Sequence, residues 1–240
     1  MTTSGTSTFN LDLTEIIEEA FERNGLELRT GYDLKTARRS LNLMLVEWAS
    51  RGINLWTIEQ GSIPMVTGQA TYPLPVDTVD LLDHVIRTGT GQNQIDITIS
   101  RIAEPTYATI PNKNAQGRPI QVWIQRLSGA TYPAPTGVVA PQITVWPTPN
   151  APGDQYTFVY WRLRRIQDAG SGVSTMDIPF RFLNCMVAGL AYYLSMKLQG
   201  VDPQRIPMLK MEYEQQLALA SDEDRDKAPV RFVPRNTFYS

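Results

Sequence analysis

A Ser-His-Asp or Cys-His centre in this chain would have to use His84, the only histidine among its 240 residues. His84 lies in the apolar run Val79–Ile86, beside Asp83. That setting reads as a partly buried or interface histidine, with a catalytic base as the competing reading. Cys185 is the only cysteine. It falls on the apolar face of a helical pattern, where a free thiol packs as a small hydrophobe. With no second cysteine or histidine near it, a zinc site is excluded. Asp77, Asp80 and Asp83 share a three-residue spacing and are candidates for paired acids or calcium ligands. They lack the glycine and terminal glutamate of a calcium loop, and Asp77 reads better as the cap of a helical turn. Gly89-Thr90-Gly91 opens no helix, so it reads as a hairpin turn and not a phosphate cradle. Arg162, Arg164 and Arg165 are the densest local cations and read as a solvated or subunit-contact edge. The expectation is a chain that is not an enzyme, with no catalytic, cofactor-binding or metal-binding residue.

Composition narrows the classes further. Apolar residues make up 42% and charged residues 19%, which suits a globular chain. The formal net charge of −2 draws it neither to nucleic acid nor to an anionic membrane. Lys35, Arg38 and Arg39 lie on one predicted helix, yet residues 1–60 hold 6 basic against 9 acidic residues. A sequence reader of DNA needs a basic face, so that class is disfavoured. The start MTTSGTSTFNLDLTEII lacks the basic and apolar regions of a signal peptide, and no apolar run approaches a membrane span. A lone cysteine suits a reducing compartment, so a soluble chain that is cytosolic when made is expected.

These residues must be positioned by three blocks. Asp12 and Glu15 have capping-box spacing, and Leu13, Ile16, Ile17, Ala20 and Phe21 recur at helical period up to Asn24-Gly25. A second helix is expected from Asp33, with Leu34, Ala37, Leu41, Met44, Leu45 and Trp48 as its stripe. The middle block alternates apolar and polar residues over 55–65, 80–87, 95–99, 120–126, 142–146 and 156–163, between proline and glycine clusters. Two further helices come after it. One starts after Asp177-Ile178-Pro179 and carries Phe182, Cys185, Met186, Gly189, Leu190, Tyr193 and Leu194. The other starts after Asp202-Pro203 and carries Ile206, Leu209, Tyr213, Leu217 and Ala220. The expected fold is α+β. A four-helix bundle forms from N-terminal (1–52) and C-terminal (177–222) helical hairpins. An antiparallel β-sandwich-like block (53–176) is inserted, and an extended C-terminal arm (223–240) ends the chain.

The arm holds Lys227, Arg231 and Arg235, and residues 227–240 contain no acid. Val230, Phe232 and Pro234 alternate with Arg231, Val233 and Arg235, as in an extended segment laid on another protein. Arg231, Phe232, Val233, Pro234, Arg235, Phe238 and Tyr239 are the candidate contacts; packing back on the chain's own domain is the competing reading. In TYPLP, Pro73 and Pro75 fix φ and push Tyr72 and Leu74 into extended geometry. Tyr72, Pro73, Leu74 and Pro75 therefore read as a rigid turn that orients the β block.

Three segments carry a resemblance: ARRSLNLMLVEWASRGINLW (37–56), ATYPLPVDTVDLLDHV (70–85) and YEQQLALASDEDRDKAPVRFVPR (213–235). Over most of its length the chain resembles the head-to-tail adaptors of short-tailed bacteriophages, of the tail tubular protein A type. The resemblance implies a virion neck protein in a ring of twelve copies between the portal protein and the tail nozzle protein. Genomic DNA would pass through the lumen without sequence-specific binding, and the ring would help retain it. Residues 225–240 stand where the family's portal-reaching arm stands. The alternative is another virion or surface module that binds a receptor or glycan through Tyr72, Trp123, Tyr132 or Trp146.

Overall fold

The computed structural model describes residues 3–53, 55–128, 139–150 and 156–224. The chain divides into two compact units, Met1–Leu55 with Asp168–Ser240, and Trp56–Gln167. The described residues hold five helices: α1 (Leu13–Arg23), α2 (Gly31–Ser50), α3 (Glu104–Ala108), α4 (Leu183–Ser195) and α5 (Arg205–Glu223). All but α3 belong to the first unit.

The helix starts arise from local chemistry. The Asp12 carboxylate accepts from the Glu15 N–H at 2.9 Å, and the Glu15 carboxylate accepts from the Asp12 N–H at 2.9 Å. This is the box read from the sequence. On α2 the cap is Thr30, and Asp33 is the third residue of a second box rather than the start. Short side chains at these positions satisfy N–H groups that the helix itself leaves without partners.

The α4 helix organises this unit. It is buried on nearly every side; only Asn184, Tyr192 and Tyr193 keep some exposure. Helices α1, α2 and α5 each pack against it. Gly189 makes this possible, because a Cβ there would collide with Met44 Sδ and the Tyr213 ring. Trp48 of α2 is fully buried, donates to the Tyr213 hydroxyl at 3.0 Å and lies 5.6 Å from the Phe182 ring. Asn24 ties α1 to α4 by donating to the Ala191 carbonyl at 3.0 Å.

The second unit has two four-stranded sheets. The first runs in the order β1 (Ile58–Pro64), β8 (Tyr156–Arg164), β3 (Thr78–Thr88), β4 (Ile95–Thr98), all antiparallel. The second runs β2 (Thr71–Pro73), β7 (Gln142–Trp146), β6 (Gln121–Gln125), β5 (Ser100–Ile102). In it, β5 and β6 are parallel. The sheets share one core that includes Tyr72, Leu74, Leu81, Ile86, Val122, Ile143 and Phe158. Gly61 of β1 lies beneath the Tyr160 ring of β8, where no Cβ would fit.

The expected fold, a four-helix bundle with an inserted antiparallel β-sandwich-like block, is overturned. The chain is a mixed α+β protein with five helices and two four-stranded sheets among the described residues. A bundle needs four amphipathic helices that share one axis. Here α4 has no polar face and takes the middle. The block is not purely antiparallel either, because β5 and β6 are joined through 103–120, which contain α3. A crossover of that kind returns the chain in the same direction. The extended arm at 225–240 lies outside the described residues.

Candidate interaction surfaces

The residues with chemical potential are taken up by the fold. His84 is on β3 opposite Tyr160, and its ring stacks 6.0 Å from Phe158. Burial, and then the Arg101 guanidinium, hold its pKa below the ordinary imidazole value. Such a ring is neutral at pH 7, but no carboxylate or nucleophile is hydrogen-bonded to it among the described residues. Cys185 is buried in α4, and burial pushes its thiol up to about 12, so it stays protonated. Asp77 pairs with Arg162, and Asp80 with Arg101 at 3.0 Å. The two carboxylates therefore serve separate guanidinium groups and do not form an acid pair. Asp77 does not cap a helix; its carbonyl accepts from Arg165 N–H at 2.8 Å.

Two arginines of the cluster, Arg162 and Arg164, face inward, while Arg165 is exposed. Arg162 bridges Asp77 and Glu59 across β3, β8 and β1, and Arg164 reaches Glu59 at 2.6 Å. Their side chains are only 12% and 10% exposed. The Arg164 guanidinium, with Arg162, holds the Glu59 carboxyl below its usual value. Gly89 and Gly91 shape the β3–β4 hairpin turn with positive φ, and a Cβ at Gly89 would overlap the Asn93 carbonyl. Among the described residues no group of His, Cys, Asp and Glu is arranged to hold a metal ion, and no helix is long and apolar enough to cross a membrane.

The TYPLP stretch carries the chain from one sheet to the other. Tyr72 and Leu74 point into the core, while Pro73 and Pro75 face out. Residues 71–73 form β2, an edge strand, which is where a sheet tolerates proline. The Tyr72 hydroxyl accepts from the Val66 N–H at 2.9 Å and donates toward the Gln69 carbonyl at 2.9 Å. Leu74 N–H donates to the Pro141 carbonyl at 2.8 Å, and Thr78 N–H closes the turn on the Pro75 carbonyl at 3.0 Å. Every bond named here lies within the β unit.

The aromatic residues considered for glycan binding are differently placed. Tyr72 is buried. Trp123 stacks on Tyr107 of α3 at 5.1 Å. Trp146 donates its indole N–H to the Asn112 carbonyl at 3.0 Å. Tyr132 lies outside the described residues, as do Arg231, Phe232, Val233, Pro234, Arg235, Phe238 and Tyr239 of the proposed arm.

Sequence reading tracked the buried stripes and missed the residues that the helical unit shows to solvent. Leu43 and Val46 on α2, and Met208, Met211 and Leu219 on α5, are all more than half exposed. Between α1 and α4 lies a cleft of about 410 Å³, lined by Phe9, Leu183 and Val187 with Glu15, Glu18 and Glu22. The signal for the outward residues was present in the sequence as a second apolar period offset from the first.

A family model described as SU10 adaptor protein matches residues 11–235. No curated protein matches the chain.

Proposed function

This chain belongs to the SU10 adaptor protein family, a structural adaptor family of bacteriophages, and we propose that it forms the ring joining a phage portal to its tail nozzle. The family match over most of the chain is the observation that carries this reading. In it, twelve copies continue the DNA channel of the virion neck and help retain packaged DNA. Residues 225–240 attach each copy to the portal, with Phe232, Phe238 and Tyr239 as apolar anchors and Arg231 and Arg235 as charged ones. The internal use of Arg162, Arg164, Asp77 and Asp80 agrees with a structural role, because it leaves those charges committed to the fold.

Electron microscopy and native mass spectrometry of the purified chain, alone and with the portal ring of the same phage, test this directly. The expected result is a monomer or weak oligomer alone and a closed ring of copies on the portal. A stoichiometry of one or two copies per portal ring would overturn it.

A further inference from the structure

The cleft between α1 and α4 combines an apolar lining with a row of unpaired acids. Leu183 and Val187 of α4, with Phe9 and Leu11, supply the apolar part, and Phe9 is 76% exposed. The acids come from α1. Glu19 is already taken: it pairs with Arg23 at 3.0 Å, and Arg23 also holds Glu212 at 2.7 Å. Glu15 accepts only the Asp12 N–H of the helix cap. Glu18 and Glu22 make no ion pair among the described residues. Glu15, Glu18 and Glu22 are all exposed, and their spacing of three and four residues keeps them on one side of α1. Like charges at that spacing repel, so the row is relieved when a cation lies over it.

The end of the chain has the opposite character. Lys227, Arg231 and Arg235 are its cations, and no acid follows Asp226. Val230 and Phe232 stand between them. The place where this segment starts also suits the cleft. Asp224, at the end of α5, pairs with Arg181 at 3.1 Å, and Arg181 stands two residues before Leu183 of the cleft. The seven residues from Asp224 to Arg231 reach roughly 25 Å when extended, about twice the width of a helix. In an extended run Val230 and Phe232 face one way and Arg231 the other. Laid along the cleft, the apolar pair covers Leu183, Val187 and Phe9. The cations bend on their apolar stems toward the glutamate row.

We infer that residues 227–235 of the free chain lie in the α1–α4 cleft of their own copy, with their cations on Glu15, Glu18 and Glu22. Exposed charge pairs are weak and screened by salt, so the segment is held there without being locked. The contact itself stands apart from the ring reading. Its consequence rests on that reading: a portal draws the segment out of the cleft, and the attachment device stays covered until the partner is met.

Carbodiimide cross-linking of the full-length chain tests the contact, because it joins a lysine amine only to a carboxylate that touches it. Mass spectrometry is expected to find Lys227 joined to Glu18 or Glu22 within one copy, read in a mixture of isotope-labelled and unlabelled chains. The product should vanish at about 0.5 M salt. Trypsin gives a second reading. Cleavage after Arg231 is expected to be about tenfold slower in the unsubstituted chain than in the double variant Glu18→Lys with Glu22→Lys, since protection follows the covered fraction. Both substitutions fall on exposed positions of α1, and the same variant should dock faster on a portal ring. Cross-links that join labelled to unlabelled chains would overturn the inference in favour of a neighbouring copy's segment. Absent cross-links, or equal cleavage rates in the two proteins, would overturn it outright. None of these results decides the ring, which is read separately from the copy number on the portal.

Discussion

Cys185 is buried in α4 and Tyr213 accepts from the Trp48 N–H in the same helical unit, and both hold their protons unusually tightly. Burial pushes the Cys185 thiol up to about 12 from its ordinary 9.0. It likewise pushes the Tyr213 phenol up to about 12 from 10.0, the Trp48 N–H working against it. Their folded-state values are raised, so their contribution to stability is complete below the unfolded values. It is lost as pH rises toward the folded ones, because the unfolded chain releases protons that the folded chain keeps. Urea midpoints are therefore expected to hold up to about pH 9 and to fall steadily between about 9 and 12. Cys185→Ala should flatten the first part of that fall. A midpoint unchanged across the interval would mean that these groups meet water in the folded state.

At the scale of elements, α4 sets the terms, and Gly189 is its tightest point. Glycine inside a helix ordinarily costs roughly 0.5–1 kcal/mol against alanine. At Gly189 the sign reverses, because the added carbon meets Met44 and the Tyr213 ring, and that ring is held by Trp48. Gly189→Ala is expected to destabilise by about 1–3 kcal/mol, in the range of overpacked cores. Gly31→Ala, at the start of α2 with nothing near its would-be Cβ, should be neutral or slightly stabilising. Urea melts that move both variants in the same direction would remove the case for close packing at α4. The sequence made α1, α2 and α5 legible because a 3.6-residue period separates their two faces. For α4 the same method found a stripe and overlooked that the opposite face was apolar as well. Strands β3, β6, β7 and β8 were legible from alternation over five residues or more. Strands β2 and β5 have three residues each, too few to show a period, and two prolines in TYPLP disguised the first as a turn. The five-residue α3 was hidden in the same way, since Pro105 in its first turn also reads as a break. The arginine cluster was visible, but its partner Glu59 is about a hundred residues away in the chain, and only the sheet register brings them together.

For the whole molecule, the reading as an attachment ring can be tested by shortening the chain. The described end of α5 is secured within its own unit. Asp224 pairs with Arg181 at 3.1 Å and accepts from the Leu55 N–H at 3.4 Å. Truncation after Asp224 is therefore expected to leave the melting temperature nearly unchanged and to abolish portal binding. Ordering residues 225–240 on a partner would cost roughly 1–2 kcal/mol per residue in backbone entropy. Two or three aromatic anchors at about 1.5–3 kcal/mol each do not offset that, so backbone hydrogen bonds to the portal are required. A truncated chain that melts much earlier would place the segment in the chain's own core; one that docks with full affinity would remove it as the attachment device.

The order of the first sheet carries a consequence in time. Strand β8 lies between β1 and β3, yet it is the last of the unit's strands to be made. On a ribosome, β1 and β3 emerge early and have no common neighbour until Arg164 has been added. At roughly 5–20 residues per second, the wait after β3 is of the order of 4–15 s. Through that interval two strands carry unsatisfied edges, the state in which chains recruit one another instead of themselves. The inward ion pairs of Glu59 and Asp77 cannot relieve it, since Arg162 and Arg164 arrive on the same late strand. Completion of this unit is thus a single late event, set by the rate of translation as much as by the stability of the sheet.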